Sequence, residues 1–275
     1  DLVIIGTPPN THYNLFKFIS KNFKFDKILI EKPIASYLEN KIYRLKNNLD
    51  KYKIFCGYNH SVNPSLSYFL KQIKKNKKNI KYILVNWKEG WNGILNAHPW
   101  LKNEFSSYLG NFKIGGGATQ EHSHGIQALI CILNLLKIND FKIQKRVIFF
   151  KRNKNIRYDF YSSFLSYFNN IFIKYETDLI TFTAEKKIII KSDKNTFSWT
   201  CNYKKNLDAV EISNSRSKKI KLFKKTRSSE FENEIKHIME IKNRIDYNKS
   251  KLNLANSLKV FNLIQSLMKN INNAK

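Results

Sequence analysis

Glu31, Lys32 and Pro33 follow directly on Ile28, Leu29 and Ile30, an apolar run that reads as a buried parallel strand, so a charged pair stands where a strand ends. In open α/β sheets ligands bind outside the carboxyl ends of the strands, so a lysine there faces a cleft and not the core. Pro33 offers no N–H and biases Lys32 toward extended backbone, which fixes the direction in which the ammonium leaves the sheet. Taken alone, Lys32 also fits a surface lysine at a strand end. Two more strands end on polar groups: DLVIIG stops at Thr7-Pro8-Pro9-Asn10, and KIFCG stops at Tyr58-Asn59-His60. Thr7, Lys32 and Asn59 are thereby delivered to one edge. Further on, Gly115-Gly116-Gly117 leads into a predicted helix whose first turns carry Gln120, Glu121, His122 and His124. Successive glycines permit positive φ and close backbone approach. By itself His124 fits a satisfied polar residue at a helix start.

The elements that must position these groups are readable from periodicity. Leu15, Phe16, Phe18, Ile19 and Phe23 recur at helical spacing, so the chain opens strand, helix, strand, a βαβ unit with a right-handed crossover. A second helix is expected over Tyr37 to Leu49 and a third over Ser65 to Lys75, with Leu66, Phe69, Leu70 and Ile73 on one face. Ile80 to Trp87 reads as a strand. Glu89 to Asn111 reads as irregular and functional, because Trp91, Trp100 and Phe105 argue against disorder. One helix is expected from Ala118 to Leu136. From Phe141 to about Phe223 the pattern is nearly all strand, and consecutive strands without intervening helices imply an antiparallel sheet. Ser229 with Glu232 reads as a capping box before a helix that buries Ile235 and Ile238, and Leu252 to Met268 carries a last apolar stripe.

Composition narrows the classes. The chain has 275 residues, 49 Lys+Arg against 21 Asp+Glu, and a formal net charge of +28. Such a balance suggests nucleic acid or an anionic membrane. The lysines, however, are spread over the whole length; the nearest cluster, Lys74, Lys75, Lys77 and Lys78, reads as a solvated helix end, so neither partner is expected. Cys56, Cys131 and Cys201 form no CxxC, which points to a reducing cytoplasm, with neither disulfides nor a thiolate zinc site. His98, His122 and His124 could be taken for a metal cluster, but residues two apart on a helix do not share a face, and no metal is expected. The longest apolar run, Ala128 to Leu136, is far short of the ~20 residues of a membrane span.

The motifs together resemble the Gfo/Idh/MocA family, named for glucose-fructose oxidoreductase and inositol dehydrogenase. The resemblance rests on Thr7-Pro8-Pro9-Asn10-Thr11-His12, similar to a TPxxxH loop, on Glu31-Lys32-Pro33, on Gly57-Tyr58 with Pro64, and on the triple glycine followed by an acid and a His. It implies an α/β chain: the C-terminal part of a Rossmann domain with a parallel sheet over residues 1–64, then an α+β domain with a large, mostly antiparallel open sheet over residues 65–275. The first Rossmann strands and the GxGxxG turn are expected upstream of Asp1. It implies an NAD- or NADP-dependent oxidoreductase moving a hydride between nicotinamide and the carbinol of a sugar, cyclitol or nucleotide sugar. Thr7, Pro8, Asn10, His12, Glu31, Lys32 and Pro33 would then bind the cofactor, and Lys32 would also meet the substrate. His124 would be the general base, a role that suits an imidazole titrating near neutrality. Glu121, three residues before it on a helix, would fix its tautomer. Tyr58, Asn59, His98 and Trp100 would touch the substrate. Homo-oligomers, dimer or tetramer, would form through the open sheet.

Two positions depart from the family pattern: Ser61 stands where Arg is frequent and Gln127 where Asp is common. A second reading therefore keeps the fold as a catalytically inactive or truncated relative serving as a binding or assembly module.

Overall fold

Two sheets face one another with helices packed between them, and the computed structural model describes residues 1–270. The first sheet is parallel, in the order β1 (Leu2–Ile5), β2 (Lys27–Glu31), β3 (Lys53–Gly57). In β2, Ile28, Leu29 and Ile30 are all buried, as the unbroken apolar run of a central parallel strand requires. The helix α1 (His12–Asn22) makes the first crossover. Of its apolar residues the core takes Phe16, whereas Phe18 and Phe23 are exposed and pack edge to face on each other at 6.4 Å. The second crossover differs from the α-helix expected over Tyr37 to Leu49: Asn40–Asn48 is a 3-10 helix. Its buried residues, Ile42 and Leu45, are three apart, which matches the 3-10 period. The run also holds three asparagines, which compete locally for backbone hydrogen bonds.

The helix α2 (Pro64–Lys75) then leads to the second sheet, with Leu66, Phe69, Leu70 and Ile73 buried as expected. That sheet contains β4 (Ile80–Lys88), β5 (Lys145–Asn153), β6 (Ile156–Phe168), β7 (Ile171–Asp178), β8 (Glu185–Ser192), β9 (Thr196–Lys204), β10 (Leu207–Ser213) and β11 (Lys218–Lys224). The strand order is β11-β10-β9-β8-β4-β7-β6-β5, antiparallel throughout except for the parallel pair of β4 with β7. Three α-helices lie between β4 and β5: α3 (Trp91–Ala97), α4 (Ala118–Glu121) and α5 (Ser123–Leu136). Thus the stretch expected to be irregular holds a short helix that buries Ile94, and the single helix expected from Ala118 is broken at His122. The chain closes with α6 (Arg227–Glu240), α7 (Arg244–Lys249) and α8 (Leu254–Met268). The capping box of α6 is made by Thr226 and Ser229, one turn before the pair read from the sequence.

One core cluster runs through both sheets. α8 packs on β3 and on α5, and α5 packs on β4. A Cβ on Gly125 would come within 2.7 Å of Trp87 Cβ, so glycine lets α5 approach the sheet closely. Trp87, Phe164, Tyr175 and Trp199 line the inner face at 1% exposure or less. Truncating one such aromatic costs about 3–5 kcal/mol, so this face fixes the distance between the sheets. The outer face keeps Val147, Phe149, Tyr167, Ile220 and Leu222 exposed.

Candidate active site

The carboxyl ends of β1, β2 and β3 open onto a cavity of about 650 Å³ whose opposite wall is the inner face of the second sheet. Thr7, Pro8, Glu31, Lys32, Asn59 and His60 line it from the first side; Trp87, Glu89, Lys186 and His124 line it from β4, β8 and α5, and Lys225 and Glu230 from the start of α6. The lysine expected at a strand end and the histidine expected at a helix start therefore share one cavity.

Lys32 is anchored by Glu121. Its Nζ donates to the Glu121 carbonyl at 2.7 Å and lies 2.9 Å from Glu121 Oε2. An ammonium has three donors, so one remains for a bound oxygen. Burial works against the charge on Glu121, but Lys32 and then His122 outweigh it and hold the carboxyl below its usual range. Glu121 makes no bond to His124, contrary to the expected tautomer lock: α4 ends at Glu121, and His122, at φ −90° and ψ 21°, interrupts the helix. The spacing of three residues therefore does not bring the two side chains onto one face. Residues far along the chain hold α4 itself. Gly117 at its N-cap has φ +89° and no side chain, and Asp159 of β6 accepts from Thr119 N at 2.8 Å and Thr119 Oγ1 at 2.6 Å.

The His124 ring meets His60 at 4.6 Å, Tyr58 at 5.6 Å and Trp87 at 6.3 Å between centroids. Its Nδ1 is buried without a hydrogen-bond partner. Burial, and then the charges of His60, Lys32, Lys186 and His122, push its pKa well below the usual imidazole value. His124 is accordingly an uncharged proton acceptor at neutral pH. Lys186 pairs with Glu89 at 2.6 Å, and although burial opposes it, that lysine lowers the Glu89 pKa.

A second charged group adjoins His124. Glu230 Oε1 accepts from Lys225 Nζ at 2.6 Å, Asn63 Nδ2 at 2.8 Å and His60 Nδ1 at 3.0 Å. His60, Cys201 and Glu230 also bring three potential metal ligands within 4.8 Å of one another. Lys225 Nζ stands 3.2 Å from Cys201 Sγ and 2.6 Å from Glu230 Oε1, so the place of a cation among them is held by an ammonium.

Of the residues expected to bind cofactor, Thr7, Pro8, Glu31 and Lys32 line the cavity; Asn10, His12 and Pro33 do not. His12 is fully buried, its ring nitrogens 2.7 Å from Thr7 O and 3.0 Å from Ile34 O, so it ties two loops together instead of facing a ligand. Asn59, His98 and Trp100 line the cavity as expected, whereas Tyr58, 1% exposed, backs His124 edge to face. Ser61 and Gln127 lie away from the cavity: Lys251 Nζ donates to Ser61 O at 3.0 Å and Gln127 Nε2 donates to Lys251 O at 2.6 Å. Glu89, Lys186, Lys225 and Glu230 were not foreseen, since none sits in a motif. His60 was foreseen only as part of a polar strand end.

Residues 1–60 match the Gfo/Idh/MocA family model, described as an oxidoreductase family with an NAD-binding Rossmann fold. The recognition made from the motifs therefore holds for that part of the chain, and the nicotinamide dinucleotide expected from it agrees with the family's description. No curated protein matches the chain. Among solved structures, an inositol dehydrogenase homolog complexed with NAD+ from Azotobacter vinelandii superposes with a TM-score of 0.77 at 10% identity, covering 99% of this chain and 76% of that one. KijD10, a 3-ketoreductase from Actinomadura kijaniata in complex with NADP and TDP-benzene, gives 0.73 at 11% identity over 97% and 77%. A dehydrogenase (MviM) from Clostridium difficile gives 0.64 at 18% identity over 100% and 79%. At such identities the likeness shows the fold, a parallel Rossmann sheet joined to a mostly antiparallel one.

Proposed function

We propose that this protein transfers a hydride between nicotinamide, as NAD or NADP, and the carbinol carbon of a sugar, cyclitol or nucleotide sugar. The observation that carries the reading is that Lys32, with one donor uncommitted, and the uncharged His124 line the same cavity at the carboxyl ends of the parallel strands. The site residues fit the nicotinamide end of a dinucleotide: Thr7 and Pro8 form a loop edge after β1, and Glu31 and Lys32 present polar atoms beside it. Bound there, the nicotinamide would take up or supply the hydride. His124 accepts the hydroxyl proton as the carbinol is oxidised, and returns it in reduction. Lys32 donates to the same oxygen, a bond that strengthens as alkoxide charge develops. Asn59, His98 and Trp100 supply hydrogen bonds and an aromatic wall of the kind that polyhydroxylated ligands use. The exposed apolar residues on the outer face of the second sheet support a homo-oligomer that covers that face.

The test is nicotinamide reduction by the natural protein over a panel of sugars, cyclitols and nucleotide sugars. Lys32→Met abolishes turnover and leaves dinucleotide affinity nearly intact. Undiminished turnover in that variant removes Lys32 from the chemistry. Dinucleotide binding with no turnover on any carbinol supports the binding-module reading instead.

A further inference from the structure

We propose that His60, clamped by Glu230, carries the positive charge of the histidine pair and thereby keeps its neighbour His124 an uncharged proton acceptor. This rests on the reading of His124 as general base and names the group that sets its charge state.

The argument begins with the charge count of a buried cluster. Glu230 and Asp208 are its carboxylates. Lys225 bridges them, 2.6 Å from Glu230 Oε1 and 2.9 Å from Asp208 Oδ1. Asp208 is further fixed by Ser65 Oγ at 2.6 Å and Asn202 N at 2.9 Å. The side chains of Lys225, Glu230, His60 and Asp208 are 10%, 11%, 14% and 1% exposed, so solvent screens little of this charge. With His60 uncharged the cluster keeps one net negative charge in a dry place; with His60 as imidazolium it is neutral. Because a buried net charge is costly, the proton belongs on His60. Burial alone would lower the His60 pKa, but Cys201, 3.8 Å from Nδ1, and Glu230, 3.0 Å from it, outweigh burial and bring it to about 9. On the other side Glu230, against its own burial, is held down to about 2 by His60 and Lys225.

The geometry around His124 says the opposite of that ring. Its Nδ1 is buried without a partner, so no carboxylate or carbonyl oxygen there stabilises a charge on that ring. The two ring centroids are 4.6 Å apart, and like charges at that distance disfavour one another. The other charged groups facing the pair do not reverse this. Lys32 from the end of β2, Lys186 from β8 and His122 just before α5 all oppose a charge on His124. Of the other carboxylates in reach, Glu121 and Glu89 are committed to Lys32 and Lys186. Glu234 of α6, beside His60, has its pKa raised to about 8 by burial and then Glu31, and so is uncharged at neutral pH. From β4 only the Trp87 ring meets His60, at 5.4 Å. When His124 takes a proton from substrate, the adjacent cation disfavours the imidazolium so formed, and the proton passes on to solvent water to return the base to its neutral form.

The experiment is a histidine-resolved NMR titration of the natural protein, assigned with His60→Gln and His124→Gln and checked for fold by circular dichroism. In the unsubstituted protein His60 titrates with a midpoint of about 9 while His124 titrates below the ordinary imidazole value. In His60→Gln the His124 midpoint rises by about one unit or more, and the acid limb of the kcat/KM profile moves with it. Glu230→Gln lowers the His60 midpoint; should that buried substitution fail to fold, His60→Gln decides alone. A His124 midpoint unchanged in His60→Gln, or His60 titrating below His124, overturns the proposal. A midpoint that moves while the acid limb of the rate stays fixed upholds the pairing and overturns the base assignment.

Discussion

Lys32 Nζ and Glu121 Oε2 lie 2.9 Å apart and join the end of β2 to the end of α4 across 89 residues of sequence. The pair aims the ammonium, so Glu121→Gln should lower kcat by roughly 10- to 100-fold with dinucleotide affinity little changed, because the donor is displaced and not removed. Steady-state kinetics with equilibrium dinucleotide binding checks both halves. The same pair carries a pH signature. Because the folded pKa of Glu121 is below its ordinary 4.5, its contribution to stability is present above that pH and is lost as the pH falls through the lowered folded value. Urea midpoints of the two proteins should therefore differ at neutral pH and converge as the pH falls.

Trp100 is 72% exposed at the cavity wall and packs edge to face on His98 at 5.2 Å, while His98 Nδ1 is 2.8 Å from Ile94 O. An aromatic so exposed adds little to folding, and its ring is free to stack on a ligand. Trp100→Ala should raise KM about tenfold, leave kcat within about twofold and leave the denaturation midpoint in place. A fall in kcat with KM unchanged would remove Trp100 from substrate binding.

Glu234 on α6 is 1% exposed and its Oε1 has no hydrogen-bond partner. Burial, and then Glu31, raise its pKa from 4.5 to about 8. The folded chain thus holds a proton that the unfolded chain releases between those values, so this group costs no stability below pH 4.5 and costs increasingly more as pH rises to about 8. Glu234→Met, which conserves volume and removes the carboxyl, should stabilise the protein by on the order of 1–3 kcal/mol at pH 7 and flatten the pH dependence. Urea unfolding at acid and alkaline pH reads this directly.

How far the sequence went depends on how local each signal was. Ile28 to Ile30 followed by Glu31-Lys32 was legible because a buried parallel strand needs an unbroken apolar run and its end needs none. The parallel pairing of β4 with β7 was not, since Ile83 meets Ile173 through chain closure and not through any neighbouring residue. The break at His122 was hidden because no Gly or Pro stands between Ala118 and His124 to mark an interruption. Of the cavity, the groups at strand ends were readable, whereas Lys186, Lys225 and Glu230 arrive from β8 and the start of α6 and carry no motif. His12 matched a motif and yet serves the loop, because its two ring nitrogens are occupied by Thr7 O and Ile34 O.

Gly117 is where that motif-level signal and the three-dimensional site coincide most closely. Its φ of +89° is strained for any residue with a Cβ, and an added Cβ would fall 1.9 Å from Asp159 Oδ1. Asp159 cannot retreat freely: it is fully buried, its Oδ2 takes both bonds from Thr119, and burial lifts its pKa to about 7. Gly117→Ala therefore has to push α4 away from β6, and α4 carries Glu121 and with it the anchor of Lys32. The expected outcome is a loss of about 2–4 kcal/mol in stability together with a kcat lower than that of Glu121→Gln, since displacement of the helix removes both the carboxylate and the carbonyl that hold Nζ. Asp159→Ala in the same chain makes room for the Cβ and should restore part of the lost kcat, although it forgoes the two Thr119 bonds. A double variant no better than Gly117→Ala would mean that backbone strain at residue 117, and not contact with Asp159, fixes glycine there.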